Sequence, residues 1–455
     1  MMKSINPYNL ELTAEYQEDN KDQLKQKIKI SEEAFSDYRR SSFKQRSDRM
    51  RTLAHLLEEQ KEECALLMTR EMGKPIVEAR AEVDKCAWVC RYYVEHAADQ
   101  LAPQQVKTDA DHSFVSFEPL GVILAVMPWN FPFWQVFRFA VPTLMAGNAA
   151  LLKHASNVQG CAGKIEELFL EAGFDKGVFQ NLRISADRVA EVIQNSVIKA
   201  VSLTGSGPAG SAVAASAGKE IKPSLLELGG SCGFIVLEDA DLVTAARLGV
   251  KARMMNTAQS CIAAKRFIVV EAVYDRFLEL FVKELELLRA GDPADENTQV
   301  GPLARLDLAE ELAGQLKASL DQGARLVCGG HRRDAYFQPT VIEQVEPGMP
   351  AFDEELFGPV AAFVKARDAA DAIRLNNLSQ FGLGASIITA NTEKALQLAS
   401  EIEDGAVFIN ELVKSDPRIP FGGTKKSGYG RELGALGIRE FVNAKTVHVK
   451  KKVRV

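Results

Sequence analysis

The sequence predicts an α/β protein built on parallel sheets and divided into more than one domain. Three observations lead there. Short apolar runs recur from about residue 120 onward: GVILAV (121–126), AVSLT (200–204), GFIVL (233–237), RFIVV (266–270), AAFV (361–364), ASIIT (385–389) and AVFIN (406–410). Helix-length segments separate many of them, and continuous apolar strands alternating with helices belong to parallel sheets covered on both faces. The chain has 455 residues, which at ~100–200 residues per domain gives two or three domains, each able to bury a core.

The elements follow in order. The first hundred residues read as helices. Met50, Leu53, Leu57, Cys64 and Leu67 fall on one helical stripe, with Glu58, Glu59, Lys61 and Glu62 between them. Gly73-Lys74-Pro75 breaks that pattern, and a second helix runs towards His96. The strand–helix rhythm then takes over. No internal repeat or low-complexity linker interrupts it, so a domain boundary must cross packed chain, and Glu227-Leu228-Gly229-Gly230 is the best turn for one. Two strand candidates lie outside the rhythm. One is SFVSFEP (113–119). The other is the terminal TVHVKKKVRV, with Val447, Val449, Val453 and Val455 on one face and Lys450, Lys452 and Arg454 on the other. That is an edge strand with basic gatekeepers. It either pairs between subunits or finishes its own sheet.

Composition excludes several function classes. The formal charge is -6 and no long Lys/Arg run is present, so no nucleic-acid partner is expected. Apolar runs fall far short of the ~20 residues of a membrane helix, and the N-terminus has no apolar core of a secretory signal. Seven cysteines, an odd number scattered from Cys64 to Cys328, point to reduced thiols and a cytoplasmic location. There is no CxxC and the six histidines are dispersed, so no metal site is expected.

Four places could carry chemistry. Gly205-Ser206-Gly207-Pro208-Ala209-Gly210 follows a strand and opens a helix-like segment, the context of a phosphate-binding turn. Pro208 is awkward for an ordinary dinucleotide turn, and a plain strand–turn–helix explains the glycines as well. Cys261 ends a polar, small-residue turn, Asn256-Thr257-Ala258-Gln259-Ser260. There, backbone amides would lower the thiol pKa and make it a nucleophile; the alternative is a buried cysteine like the other six. Glu227 closes an apolar strand before two glycines. It is a ribose-binding carboxylate, a general base with raised pKa, or a buried and satisfied glutamate. Asn130, in PWNFP, follows GVILAVM and is an oxyanion donor or an ordinary turn residue.

Together these places match one family. PWNFP (128–132), LLKHAS (151–156), TGSGPAG (204–210), LELGGS (226–231), NTAQSC (256–261), EELFGPV (354–360) and PFGGTKKSGYGRE (420–432) occur in the order found in the NAD(P)-dependent aldehyde dehydrogenase superfamily. The chain resembles that superfamily over nearly its whole length. MTREMGKP (68–75) and WNFPFWQVFR (129–138) look most like the bacterial succinate-semialdehyde dehydrogenases. The resemblance implies an aldehyde dehydrogenase-like fold: two Rossmann-type α/β domains and a small β oligomerisation arm. The cofactor-binding domain would span 1–228, with the chain returning at 411–432, the catalytic domain 229–410, and the arm 106–120 and 433–455. A homodimer or homotetramer is implied.

The resemblance also implies roles. Cys261 would form a thiohemiacetal and then a thioester, Asn130 would hold the oxyanion, and Glu227 would activate the hydrolytic water. NADP, NAD or both would meet Met127, Pro128, Trp129, Lys153, Ser156, Gly205, Ser206, Leu228, Glu355 and Phe357. Ser156 stands where NAD-selective members often carry a glutamate, so a 2′-phosphate is tolerated; His154, where proline is common, would add a donor. Arg138 would clamp the far carboxylate of a semialdehyde, or else form a structural salt bridge, and Trp134 and Ser415 would join it. The sequence departs from the family at Ala258, in place of a glycine, at Cys232-Gly233 after LELGGS, and at Met255, where some relatives have a second arginine. Ala263 removes the nearby cysteine partner of some relatives. The expected reaction is oxidation of succinate semialdehyde to succinate. Alternatives are another aldehyde, such as glutarate semialdehyde or an uncharged one, or a non-catalytic member of the fold. A CoA-acylating enzyme generally lacks the glutamate at 227.

Overall fold

Two open sheets organise the chain, and the computed structural model describes residues 1–451 of it. The first sheet has six strands in the spatial order Gly428–Tyr429, Ser224–Glu227, Ile198–Thr204, Val122–Met127, Ala149–His154 and Phe179–Asn181. All neighbours are parallel except Gly428–Tyr429, which returns antiparallel to Ser224–Glu227. The second has seven, in the order Arg325–Cys328, Thr340–Glu343, Val360–Ala366, Ala264–Val270, Cys232–Val236, Ala385–Ile388 and Val407–Ile409. Only its Arg325–Cys328 edge is antiparallel. Each apolar run read from the sequence is one of these strands. All but the half-buried edge strand Val407–Ile409 are buried, because helices cover both faces, as parallel sheets require. The chain leaves the first sheet after Glu227 and joins the second at Cys232.

A third sheet stands apart. Val442–Val449 pairs antiparallel with His112–Pro119, which pairs with Gln104–Gln105. Most of Val442–Val449 is exposed. The basic end of the predicted edge strand, Lys452 to Val455, lies outside the described residues.

The N-terminal part differs from expectation in two ways. The stripe through Met50 and Leu67 is shared by two helices, Phe43–Glu59 and Lys61–Met72, broken at Gln60. The apolar period survives the break because both helices pack on Ile76–Gln100. Gly73 ends the second helix at φ +74°, where glycine avoids the Cβ clash. A short hairpin, Met2–Ile5 with Leu12–Tyr16, precedes all the helices. Its sequence is too polar to announce a strand. Tertiary bonds hold it: Ser4 is fully buried and its hydroxyl donates to Glu71 and to the Asn157 carbonyl. Among the described residues no helix is long and apolar enough to cross a membrane.

Candidate active site

The site is built around a strained turn. After helix Leu242–Met254, three consecutive residues take left-handed backbone angles: Asn256 (φ +56°), Thr257 (+52°) and Ala258 (+62°). Each such L-residue costs roughly 1–2 kcal/mol, so surrounding bonds must impose the shape. They are present. The Asn256 N–H donates to Glu78 (2.6 Å), and Asn256 Nδ2 donates to the carbonyls of Asn130 (2.7 Å) and Gln259 (3.1 Å). The Gly301 N–H donates to Thr257 Oγ1 (3.0 Å) and the Ala304 N–H to Gln259 Oε1 (2.8 Å). Ala258 is completely buried within this clamp.

Cys261 follows the turn and opens into a cavity of about 760 Å³ shared with Asn130, Thr204, Gly205, Ser206, Gly229, Glu355 and Phe357. Its thiol is not acidified, contrary to the sequence expectation. Burial pushes it up to about 11, Glu355 and Glu227 add to that, and Lys265 and Arg138 only partly oppose it. Asn130 is reached from strand Val122–Met127 through Pro128 and Trp129. Its Nδ2 donates to the Gln259 carbonyl (3.1 Å), which leaves its second amide hydrogen free. Two residues fix this loop. His154 Nε2 donates to the Pro132 carbonyl (2.9 Å) while Nδ1 accepts from the Ala155 N–H (2.9 Å). Burial holds the imidazole near 4, hence neutral. His154 thus serves its own backbone instead of offering a donor to a cofactor. The carboxylate of Glu82 accepts from the N–H groups of Phe133 and Trp134 (2.9 Å each) at the start of helix Trp134–Met145.

Glu227 sits at the end of its strand, 2% exposed, with both carboxylate oxygens unpartnered. Burial raises its pKa well above the ordinary range, and neighbouring Glu432 raises it further, against Arg138 and Arg431. This is a desolvated carboxyl, directly before Leu228 and Gly229, which line the cavity.

The cofactor candidates divide by position. Pro128, Trp129, Gly205, Ser206, Leu228, Glu355 and Phe357 line the cavity. Met127 and Lys153 are buried at the ends of adjacent parallel strands, and Ser156 is exposed on the turn beyond. Lys153 has no carboxylate partner among the described residues, and burial lowers its pKa. Ser206 precedes helix Gly207–Lys219 without capping it by its side chain, so the first amides there remain free. Pro208 is harmless, because it stands in the first helical turn, where no N–H is needed. Glu355 accepts from the Gly230 N–H (3.1 Å), and a Cβ on Gly229 would strike its carboxylate. Phe357 meets Trp129 edge-on at 5.7 Å.

At the expected substrate end, Arg138 is 2% exposed. It is ion-paired with Glu432, donates to Thr204 Oγ1 (3.3 Å) and lies over Phe421. Of its two readings, the salt bridge is the one formed. Trp134 Nε1 donates to Ser415 Oγ (3.0 Å).

Comparison with known proteins decides the family. The aldehyde dehydrogenase family matches residues 1–447.

The chain belongs to the aldehyde dehydrogenase family.

This aldehyde dehydrogenase is 49% identical over 449 residues to a probable succinate-semialdehyde dehydrogenase [NADP(+)] of Synechocystis sp., covering 98% of this chain and 99% of that one. It is 46% identical to the succinate semialdehyde dehydrogenase [NAD(P)+] Sad of Escherichia coli, over 98% of this chain and 97% of the relative. A solved succinic semialdehyde dehydrogenase from Streptococcus pyogenes, in complex with NADP+, superposes with a TM-score of 0.97 at 37% identity, covering 99% of this chain and 100% of that one.

Sequence reasoning missed Lys265 in this aldehyde dehydrogenase. It is fully buried on strand Ala264–Val270, donates to the carbonyls of Ser260 (2.8 Å) and Cys261 (2.9 Å), and pairs with Glu355 (3.2 Å). It ties the turn that ends at Cys261 to the Glu355 carboxylate. The only signal was a basic pair, Lys265-Arg266, inside an apolar run. Glu78 and Glu432 were missed as well, since a glutamate in a helix or a loop looks like surface.

Proposed function

We propose that this aldehyde dehydrogenase oxidises succinate semialdehyde to succinate, using NADP or NAD. One observation carries the reading: a single cavity brings Cys261, Asn130, Glu355 and the Gly205–Ser206 helix start together, with the Glu227 turn in its wall. A dinucleotide suits that lining. The uncapped helix start offers amides to a pyrophosphate, Lys153 is a buried cation without its own acid, and Glu355 presents a carboxylate suited to ribose hydroxyls. The exposed Ser156 brings no negative charge against a 2′-phosphate.

The residues divide the work. Cys261, once deprotonated, attacks the aldehyde carbon, and its sulfur forms the thiohemiacetal. The free Asn130 amide hydrogen and the Cys261 backbone N–H hold the oxyanion. An oxidised nicotinamide cofactor, which Lys153, Glu355 and the Gly205–Ser206 helix start would hold, would supply the hydride acceptor for this carbon. The thioester that remains on Cys261 is cleaved by a water whose proton passes to Glu227, releasing the acid and the thiol. Glu227 is made a stronger base by the same burial that raises its pKa.

We further propose a cofactor half at 1–228 with its return at 411–432, and a catalytic half at 229–410, consistent with the two sheets. The exposed strand Val442–Val449 suits pairing between subunits in a homodimer or homotetramer. A cytoplasmic setting agrees with seven free cysteines. The test is a steady-state assay of reduced-nicotinamide formation with succinate semialdehyde and with butanal, each with NADP and NAD. Preference for the semialdehyde is expected; equal turnover of both aldehydes refutes the substrate assignment. Ser156→Glu is expected to move the kcat/KM ratio towards NAD by about tenfold or more; an unmoved ratio refutes the role of Ser156.

A further inference from the structure

A buried cation stands beside Cys261. Lys265 follows it by four residues on strand Ala264–Val270, and its side chain is fully buried. The chain between them folds back, with the Ala263 N–H donating to the Ser260 carbonyl (3.2 Å). Lys265 Nζ therefore returns to the turn it came from. It donates to the carbonyls of Ser260 (2.8 Å) and Cys261 (2.9 Å) and, at longer range, Ala263 (3.5 Å). Among the described residues its one acidic partner is Glu355 (3.2 Å). A buried ammonium needs such a counter-charge. The two partners differ in freedom. Lys265 is fixed by three carbonyls, whereas Glu355 is partly exposed, lines the cavity and also accepts from the Gly230 N–H (3.1 Å).

A thiolate on Cys261 is disfavoured most by burial. Among the charged groups around it, Lys265 is the leading one in its favour and Arg138 the second, while Glu355 and Glu227 act against it. Arg138 already has Glu432 as counter-ion. The neighbouring Cys232, whose Sγ lies 3.7 Å from the Cys261 carbonyl, is pushed up to about 12 by burial and adds no charge. In a dry site a fixed charge acts more strongly than in water, because little screens it.

We propose that Lys265 is a positioning residue that sets the nucleophilicity of Cys261: its ammonium, fixed by the Ser260 and Cys261 carbonyls, favours the thiolate, and its ion pair with Glu355 moderates that effect. This rests on the reading of Cys261 as the nucleophile. Lys265 acts through Cys261 and Glu355, not on the aldehyde.

The test is the rate of Cys261 alkylation by iodoacetamide near pH 8, with neither cofactor nor aldehyde present, followed by peptide mass spectrometry. Only the thiolate reacts, so the rate reports its population. Lys265→Gln keeps hydrogen-bond donors for the carbonyls but removes the charge, and is expected to slow alkylation about tenfold or more, the equivalent of one pKa unit. Lys265→Arg keeps the charge and should recover most of the loss. Glu355→Gln keeps an acceptor for the Gly230 N–H and should act in the opposite sense, speeding alkylation about threefold or more. A turn that had merely loosened would expose the thiol and speed its reaction. An unchanged or faster rate in Lys265→Gln therefore overturns the proposal, and so does an equal loss in Lys265→Arg, which marks a structural role. Urea midpoints check folding. If Lys265→Gln does not fold, Glu355→Gln decides: a faster rate supports the released lysine charge, and an unchanged or slower one overturns it. A native chain that oxidises no aldehyde refutes the proposed reaction, and the alkylation rates still decide the role of Lys265.

Discussion

Burial raises the Cys261 thiol to about 11 and lifts the Glu227 carboxyl well above the ordinary carboxylate range. In the proposed mechanism Cys261 must lose its proton before it attacks, so kcat/KM is expected to keep climbing with pH up to about 11. Glu227→Gln should slow turnover about 100-fold or more and let the thioester accumulate. Rapid-quench trapping of that intermediate is the check, and full turnover without accumulation would exclude Glu227 as the base. Ala258 is a different kind of residue problem. It holds a left-handed angle that glycine takes freely. Ala258→Gly should leave stability unchanged or raise it by about 1 kcal/mol at most, because relief of strain competes with the entropy of the unfolded glycine. A clear loss in denaturant midpoint would show that the buried methyl group packs usefully. Cys261, Asn130 and Glu227 were legible because their motifs are local. Lys265 was not, because whether a lysine is buried depends on neighbours far away in sequence.

Among elements, the start of helix Ile76–Gln100 bears directly on the turn before Cys261 through Glu78 and the Asn256 N–H. Burial lifts the Glu78 carboxyl from 4.5 to about 7, Glu82 adds to the rise, and Lys74 and the Asn256 N–H oppose it. The folded state therefore binds this proton more tightly than the unfolded one. Its contribution to stability is fully present below the ordinary value and is lost as pH rises through about 7. Glu78→Gln keeps an acceptor but cannot titrate. Calorimetric melting across about pH 5–8 should show a shallower fall in Tm for the variant; parallel curves would refute the assignment. Seven strands of the two large sheets were legible as continuous apolar runs, because burial on both faces leaves such runs; short strands such as Phe179–Asn181 and Arg325–Cys328 were not. The break at Gln60 and the hairpin at Met2–Ile5 were not. The first keeps the helical period across two helices, and the second is fixed by Ser4 bonding to residues far along the chain.

On the scale of the whole molecule, the exposed strand Val442–Val449 has eight residues in register with His112–Pro119 and no large sheet behind it. Removal of residues 442–455 should yield single chains in sedimentation velocity; an unchanged oligomer would move the interface elsewhere. The division into two sheets could be read from the sequence because the turn after Glu227 is glycine-rich. The way the last residues close the site could not, since it depends on pairing across the whole chain. Gly428–Tyr429 supplies the edge partner of the Glu227 strand, and Ser427 Oγ donates to the Gly229 carbonyl, 198 residues earlier. This has a consequence for birth on the ribosome. At ~5–20 residues per second, the strand bearing Glu227 waits about 10–40 s for its neighbour to be synthesised. During that interval its backbone edge is open, and nascent chains halted before Ser427 should be inactive and the preferred cargo of chaperones.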